Sequence, residues 1–194
     1  MTQSVLDKDY DKIVLGFDPG TQIMGYGLIG CLGNKYEMIT LGIINLKSFE
    51  NHALKLQKIH ERSLAIIDMY KPDEVALEEP FFGKNVQSML KLGRAQGVAM
   101  AAALHRGLPI FEYSPKKVKQ SITGNGNASK EQVAGMLKSL LNFSEIPKYL
   151  DATDAVAVAL CHCYKNENGK QESNKKYNDW SSFIKGNEKR IIKK

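Results

Sequence analysis

Apolar and polar positions change period along this chain, and the changes separate strands from helices. Residues 12–17 are a short apolar, β-branched run closed by Asp18-Pro19-Gly20-Thr21, which is turn chemistry. Two further strand-like stretches, 26–29 and 35–45, follow brief glycine-containing breaks, the spacing of antiparallel hairpins. From 52 to 70 the period becomes helical: Leu54, Ile59, Leu64 and Ile67 recur with charges between them, and Lys71-Pro72 stops the pattern. A strand at 74–79, the loop Pro80-Phe81-Phe82-Gly83-Lys84, a long helix at about 85–106 and a strand at 108–113 make a crossover unit. Such a unit sets its strands parallel to the first one, with the hairpin strands flanking them. The expected architecture is α/β: a mixed five-stranded sheet, a three-strand antiparallel meander plus two parallel strands, flanked by helices.

Capping chemistry places the remaining helices. Ser114-Pro115 reads as an N-cap with proline at the first helical position, and Ser129-Lys130-Glu131-Gln132 as a capping box opening a helix to about 141. Between them Gly124-Asn125-Gly126-Asn127-Ala128 reads as a mobile loop. The long helix at 85–106 carries Met89, Leu92, Gly93, Gln96, Gly97, Met100, Ala101 and Leu104 on one broad face, and Ala95, Ala99, Ala102 and Ala103 elsewhere. Small residues nearly all round permit close packing on more than one side.

The chain has 194 residues, enough for one domain with a tail left over, and its 43% hydrophobic and 25% charged content is that of a globular protein. No apolar run approaches the roughly 20 residues that span a bilayer, and no basic flank precedes an apolar core at the N-terminus. A cytoplasmic protein with no membrane partner is therefore expected. Residues 165–194 hold nine Lys or Arg against four Asp or Glu, so most of the net charge of +6 is tail. The expected division is an N-terminal extension 1–11, a domain 12–164 and a basic, partly disordered tail 165–194. Charge alone suits a polyanion partner or simple solubility about equally. Cys161-His162-Cys163 lacks zinc-module spacing, and two thiols about 200° apart on a helix cannot grip one ion, so a structural role is expected for them.

Four carboxylates at element ends are the chemical signal. Asp18 closes the first strand, Glu78 closes the fourth, and Asp151 and Asp154 open a helix of small residues, Ala155-Val156-Ala157-Val158-Ala159. Two like charges ~4 Å apart cost roughly 4 kcal/mol even at an effective dielectric of 20, so such acids call for a cation. Oxygen-only ligands suit Mg²⁺, with Mn²⁺ able to substitute, and the natural substrate of such a centre is a phosphate ester.

Taken in order, Asp18-Pro19-Gly20 with Gly25-Tyr26-Gly27, Leu77-Glu78 before Pro80-Phe81, Lys91-Leu92-Gly93-Arg94-Ala95-Gln96-Gly97, Glu112-Tyr113 with Val118-Lys119-Gln120, and Asp151-Ala152-Thr153-Asp154-Ala155 resemble the RuvC-type Holliday junction resolvase family. The resemblance covers about 13–162. It implies an RNase H-like fold, a homodimer, and divalent-metal cleavage of four-way DNA junctions in recombination and repair, coupled to the RuvAB branch-migration complex. It makes Asp18, Glu78, Asp151 and Asp154 the metal-binding catalytic acids and Lys119 and Lys130 lysines that assist cleavage or hold DNA. Phe81 matches an aromatic residue that contacts bases near the junction centre. Lys84, Asn125 and Asn127, in loops beside these groups, are candidate DNA contacts as well. The expected reaction is two-metal hydrolysis, with two Mg²⁺ ions per site, giving 5′-phosphate and 3′-hydroxyl ends. An ATP-dependent phosphotransferase of the actin and hexokinase class shares the Asp-Gly-Thr turn, but the chain has no room for the second copy of the fold that class uses. A junction binder without catalysis, and an RNase H-like nuclease processing ribosomal RNA, are the other readings.

Overall fold

In a computed structural model the chain is described over residues 9–80, 85–143 and 147–172. Strands β1 (Lys12–Asp18), β2 (Ile23–Leu32) and β3 (Lys35–Asn45) form the antiparallel meander, pairing Lys12 with Cys31 and Ile23 with Asn45. β2 is longer at both ends than the stretch 26–29, because Gly25, Gly27 and Gly30 dilute its apolar pattern without breaking its pairing. Helix α1 (His52–Tyr70) starts where Asn51 accepts a bond from the Ala53 amide at 2.8 Å and stops at Lys71, which is left-handed. β4 (Glu74–Glu78), α2 (Val86–His105) and β5 (Ile110–Tyr113) supply the crossover unit, and the sheet order is β3-β2-β1-β4-β5. β1 lies at the centre, antiparallel to β2 and parallel to β4. Helices α3 (Pro115–Thr123), α4 (Lys130–Leu141) and α5 (Leu150–Glu172) follow.

Strand alternation divides the work between the two faces of the sheet. Leu15, Phe17, Met24, Leu28, Val75 and Leu77 are wholly buried with Ile59, Ile66 and Ile67 of α1 and Ala95, Ala99 and Ala103 of α2. Burying each large side chain contributes about 1.5–3 kcal/mol, so this layer is the main core. α2 thus buries the alanine side, with Gln96, rather than the broad Met and Leu face. Close packing there admits only small residues, and Val86, Leu90 and Leu104 are left at 66, 50 and 62% exposure.

The opposite face has glycine where side chains would stand. A Cβ on Gly25 would lie 1.9 Å from the Asp151 carbonyl oxygen, one on Gly16 2.1 Å from that of Ala155, and one on Gly27 2.4 Å from Val156 Cγ2. The backbone of α5 therefore rests directly on β1 and β2. Its residues Ala152, Ala155, Val156, Ala157, Val158, Ala159 and Leu160 are all buried, as befits a helix covered on nearly every side.

The segment read as a mobile loop is a hydrogen-bonded turn. Asn125 Oδ1 accepts from the Asn127 amide at 3.0 Å, and the Gln120 side chain accepts from Gly126 at 3.0 Å. The Ser129 capping box forms as expected, whereas Ser114 makes no side-chain cap bond and Pro115 alone marks that helix start. The chain divides into units Met1–Cys163 and Tyr164–Lys194; of the second, the described part is the end of α5. The helix thus continues past 164 into the segment assigned to the tail, the rest of which, like residues 1–8, lies outside the described residues. Among the described residues no helix is long and apolar enough to cross a membrane.

Replacing Gly25 by alanine should lower the melting temperature by several degrees, an overpacking cost of about 1–3 kcal/mol, and displace the first turn of α5. Gly135→Ala in α4, where an added Cβ meets nothing within 4 Å, should raise stability slightly. Calorimetric melting of both variants checks this, and equal melting points would deny the close approach.

Candidate active site

Register brings the two strand-end acids together. Phe17 pairs with Leu77 across the parallel β1–β4 ladder, so Asp18 and Glu78, one step further, end adjacent central strands on the face toward α5. Asp18 also lies opposite Gly25, over which the Asp151 backbone passes. Asp151 and Asp154, three apart in the first turns of α5, share the side of the helix next to them.

The electrostatics record this convergence. Burial first, then Glu78, Asp154 and Asp151, push Asp18 well above the ordinary carboxylate range, against the pull of Lys130. Glu78 is pushed up to about 7 by burial and then by Asp154, with Lys130 and Lys119 opposing. Asp154 is raised by burial and by Asp151, while its bond from Lys130 and the charge of Lys119 act the other way. Lys130 Nζ is hydrogen-bonded to Asp154 Oδ2 and stands 4.0 Å from Asp151 Oδ1. All four acids and both lysines therefore act on one small region.

The acids are gathered but not closed on a point. Among the described residues no three carboxylate, imidazole or thiol side chains stand close enough to ligate one ion as they are. Asp154 is instead engaged by Lys130. The donor set still fits a hard divalent cation, because every donor is a carboxylate oxygen and burial with like charge bears on Asp18, Glu78 and Asp154.

Other expected contacts fall elsewhere. Asn125 lines a cavity of about 370 Å³ with Thr123, Ala128, Gln132, Gly135, Met136 and Ser139, and none of the acids borders it. Asn127 serves the same turn through its amide. Phe81 and Lys84 lie outside the described residues. Beside the mouth, Glu79, Pro80, Val86, Met89, Leu90, Gly93 and Glu112 line a larger cleft of about 800 Å³. Gln96 was not singled out from sequence. Its Nε2 donates to Glu112 Oε1 at 2.7 Å and reaches toward the Glu78 carbonyl oxygen at 3.5 Å, steadying the end of β4. A lone polar residue between Ala95 and Gly97, in a helix of small and apolar residues, was the available signal.

A mixed sheet of this order, with acids ending its two central strands and heading the helix laid across them, defines an RNase H-like nuclease. The family model Crossover junction endodeoxyribonuclease RuvC matches residues 14–162. Proteins of that name from Bacteroides fragilis and Cytophaga hutchinsonii are 58 and 56% identical, over 93 and 95% of this chain and 96 and 90% of theirs. The solved structure of T. thermophilus RuvC in complex with Holliday junction substrate is 33% identical, with a TM-score of 0.76, over 81% of this chain and 96% of that one. The chain belongs to this family and is a crossover junction endodeoxyribonuclease, an enzyme class that uses divalent metal.

Raised carboxyl groups make stability fall as pH rises. Glu78 is protonated in both states below about 4.5; between there and about 7 the folded protein keeps a proton that the unfolded chain has lost, so folding weakens across that window and the penalty is complete above it. In chelator, melting should be several degrees lower at pH 8 than at pH 5.5. Added Mg²⁺ should raise it more at pH 8. Scanning calorimetry at both pH values checks this, and a melting point that climbs with pH in chelator would contradict it.

Proposed function

We propose that this protein resolves four-way Holliday junctions by paired, symmetric nicks during homologous recombination and repair. The observation that carries the proposal is the meeting of Asp18, Glu78, Asp151 and Asp154 at one end of the sheet, in a chain whose relative of known structure was solved with Holliday junction substrate. The nuclease domain is residues 12–164, acting in the cytoplasm on the DNA found there.

Asp18, Glu78, Asp151 and Asp154 would hold divalent cations, and we assign two Mg²⁺ per site, with Mn²⁺ able to replace them. When bound, these supply the positive charge that makes water nucleophilic and stabilises the leaving 3′ oxygen, leaving 5′-phosphate and 3′-hydroxyl ends. Lys130 competes with cations for Asp154, and its release frees an ammonium group for the scissile phosphate. Lys119, near enough to act on Glu78 and Asp154, holds phosphate from the other helix. Each lysine that contacts phosphate adds about 0.9 to the slope of log affinity against log salt. Phe81 is assigned to stacking at the junction centre and Lys84, Asn125 and Asn127 to weaker DNA contacts; the turn already engages the backbone amides of both asparagines and Asn125 Oδ1, so the contacts are assigned to their side-chain NH2 groups. A phosphotransferase reading has no comparable support, since the matching family model and relatives are crossover junction endodeoxyribonucleases.

Symmetric nicking calls for two sites, hence a homodimer. The outward side of α2 supports it: Val86, Leu90, Gly93, Gly97, Ala101 and Leu104 make an exposed apolar stripe, and a Cβ on Gly93 or Gly97 would meet nothing within 4 Å. Two such stripes can approach closely. The RuvAB branch-migration complex is the proposed protein partner.

Asp18→Asn keeps shape and removes charge, so it should abolish cleavage of a synthetic mobile junction while junction binding stays within about twofold. Retained Mg²⁺-dependent nicking by that variant would remove Asp18 from the mechanism. Leu104→Glu should shift the protein toward monomer in sedimentation at low micromolar concentration; an unchanged dimer would clear the stripe of that role.

A further inference from the structure

The Cys161-His162-Cys163 motif takes no part in the proposed chemistry, yet its histidine is fully buried and doubly bonded. His162 Nδ1 is 2.6 Å from the Tyr113 hydroxyl, and Nε2 is 2.6 Å from Glu74 Oε2. The other Glu74 oxygen accepts from Lys12 Nζ at 2.8 Å, and the Phe111 ring lies 4.3 Å from the imidazole, centroid to centroid. Burial, with Cys161, Glu74 and Cys163, pushes Tyr113 up to about 12, so its hydroxyl keeps its proton and donates to Nδ1. Nε2–H is then the donor to Glu74. Burial pushes Glu74 upward, but its bonds from Lys12 and His162 outweigh that and hold it ionised. One neutral tautomer thus satisfies the whole chain of groups.

The placement of these partners gives the network a consequence. Tyr113 pairs with Glu78 across the β4–β5 ladder, and its carbonyl accepts from the Glu79 amide at 2.9 Å. Glu74 begins the strand that Glu78 ends. His162 follows Asp151 by eleven residues, about three turns and roughly 16 Å along α5, and so shares its side of the helix. At the acid end α5 lies on Gly16 and Gly25, where the sheet offers few side-chain ridges to resist sliding. The directional bonds are at the other end.

We propose that His162 is a positioning residue for the nuclease reaction: by bonding Tyr113 and Glu74 it sets the axial register of α5 on the sheet, and so sets where Asp151 and Asp154 meet Asp18 and Glu78. The proposal rests on those acids being the cation site. A misplacement of about 1 Å at a reacting centre can cost a hundredfold in rate, so loss of this register should be felt well away from the imidazole.

Three quantities test it: Mn²⁺ affinity by calorimetry without DNA, junction affinity in chelator, and the single-turnover cleavage rate at saturating junction. His162→Ala should bind Mn²⁺ and cleave at least tenfold less well, with junction affinity within twofold of the unaltered protein. His162→Gln, which can accept from Tyr113 and donate to Glu74, should recover most of both. Tyr113→Phe, which removes one hydroxyl and keeps the ring, should lose two- to fivefold in each, and it decides the matter should His162→Ala fail to fold by circular dichroism. A purely structural role would lower the melting point while leaving Mn²⁺ affinity unchanged, and that result overturns the proposal. Failure of the unaltered protein to bind Mn²⁺ or to cut would instead overturn the cation site itself.

Discussion

The direct contact of the α5 backbone with a sheet surface made of glycine is the constraint on which the site depends. Gly25 beneath the Asp151 carbonyl and Gly16 beneath that of Ala155 let the helix come closer than any side chain would allow. Because Asp18 follows Gly16 by two residues and lies opposite Gly25, the same close approach that seats the helix puts its first-turn acids beside the end of β1. The fold and the site are one packing event. The large side chains are on the other face, where Leu15, Phe17, Val75 and Leu77 meet α1 and α2, and this division leaves the catalytic face free to be shaped by backbone.

Close packing has an electrostatic cost, and that cost suits the chemistry. Burial raises Asp18 and Glu78, and each acid raises the next, so the site is destabilised when fully ionised. Lys130 offsets part of this through Asp154. A divalent cation held there would offset more, since it brings two charges to a region that the lysine serves with one. Stability, pH response and cation affinity are therefore linked through the same few carboxylates.

Much of this was legible in the residue pattern. β3 and α1 were bounded as they form, since an apolar-rich strand run and a clear 3.6 period both end in turn signals. The acids stood out because each is a charged residue set at the end of an apolar run whose members, such as Phe17, Leu77 and Ala155, are buried. Which face of α2 is buried was left open by a helix with small residues nearly all round; the structure buries the alanine side against the main core. Asn125 and Asn127 read as loop residues open to phosphate, but an Asx turn engages them with their own backbone. For Gln96 and His162 the residues were visible but their bonds were not, because the partners Glu112, Tyr113 and Glu74 are distant in sequence and only the sheet order unites them.

Anomalous diffraction at the manganese edge, from crystals grown with Mn²⁺, tests the convergence of the four acids most directly. The expected result is manganese within about 2.0–2.3 Å of Asp18 carboxylate oxygen, with Glu78, Asp151 and Asp154 completing the ligand set. Manganese bound elsewhere, with none at Asp18, would contradict the site proposed for this enzyme.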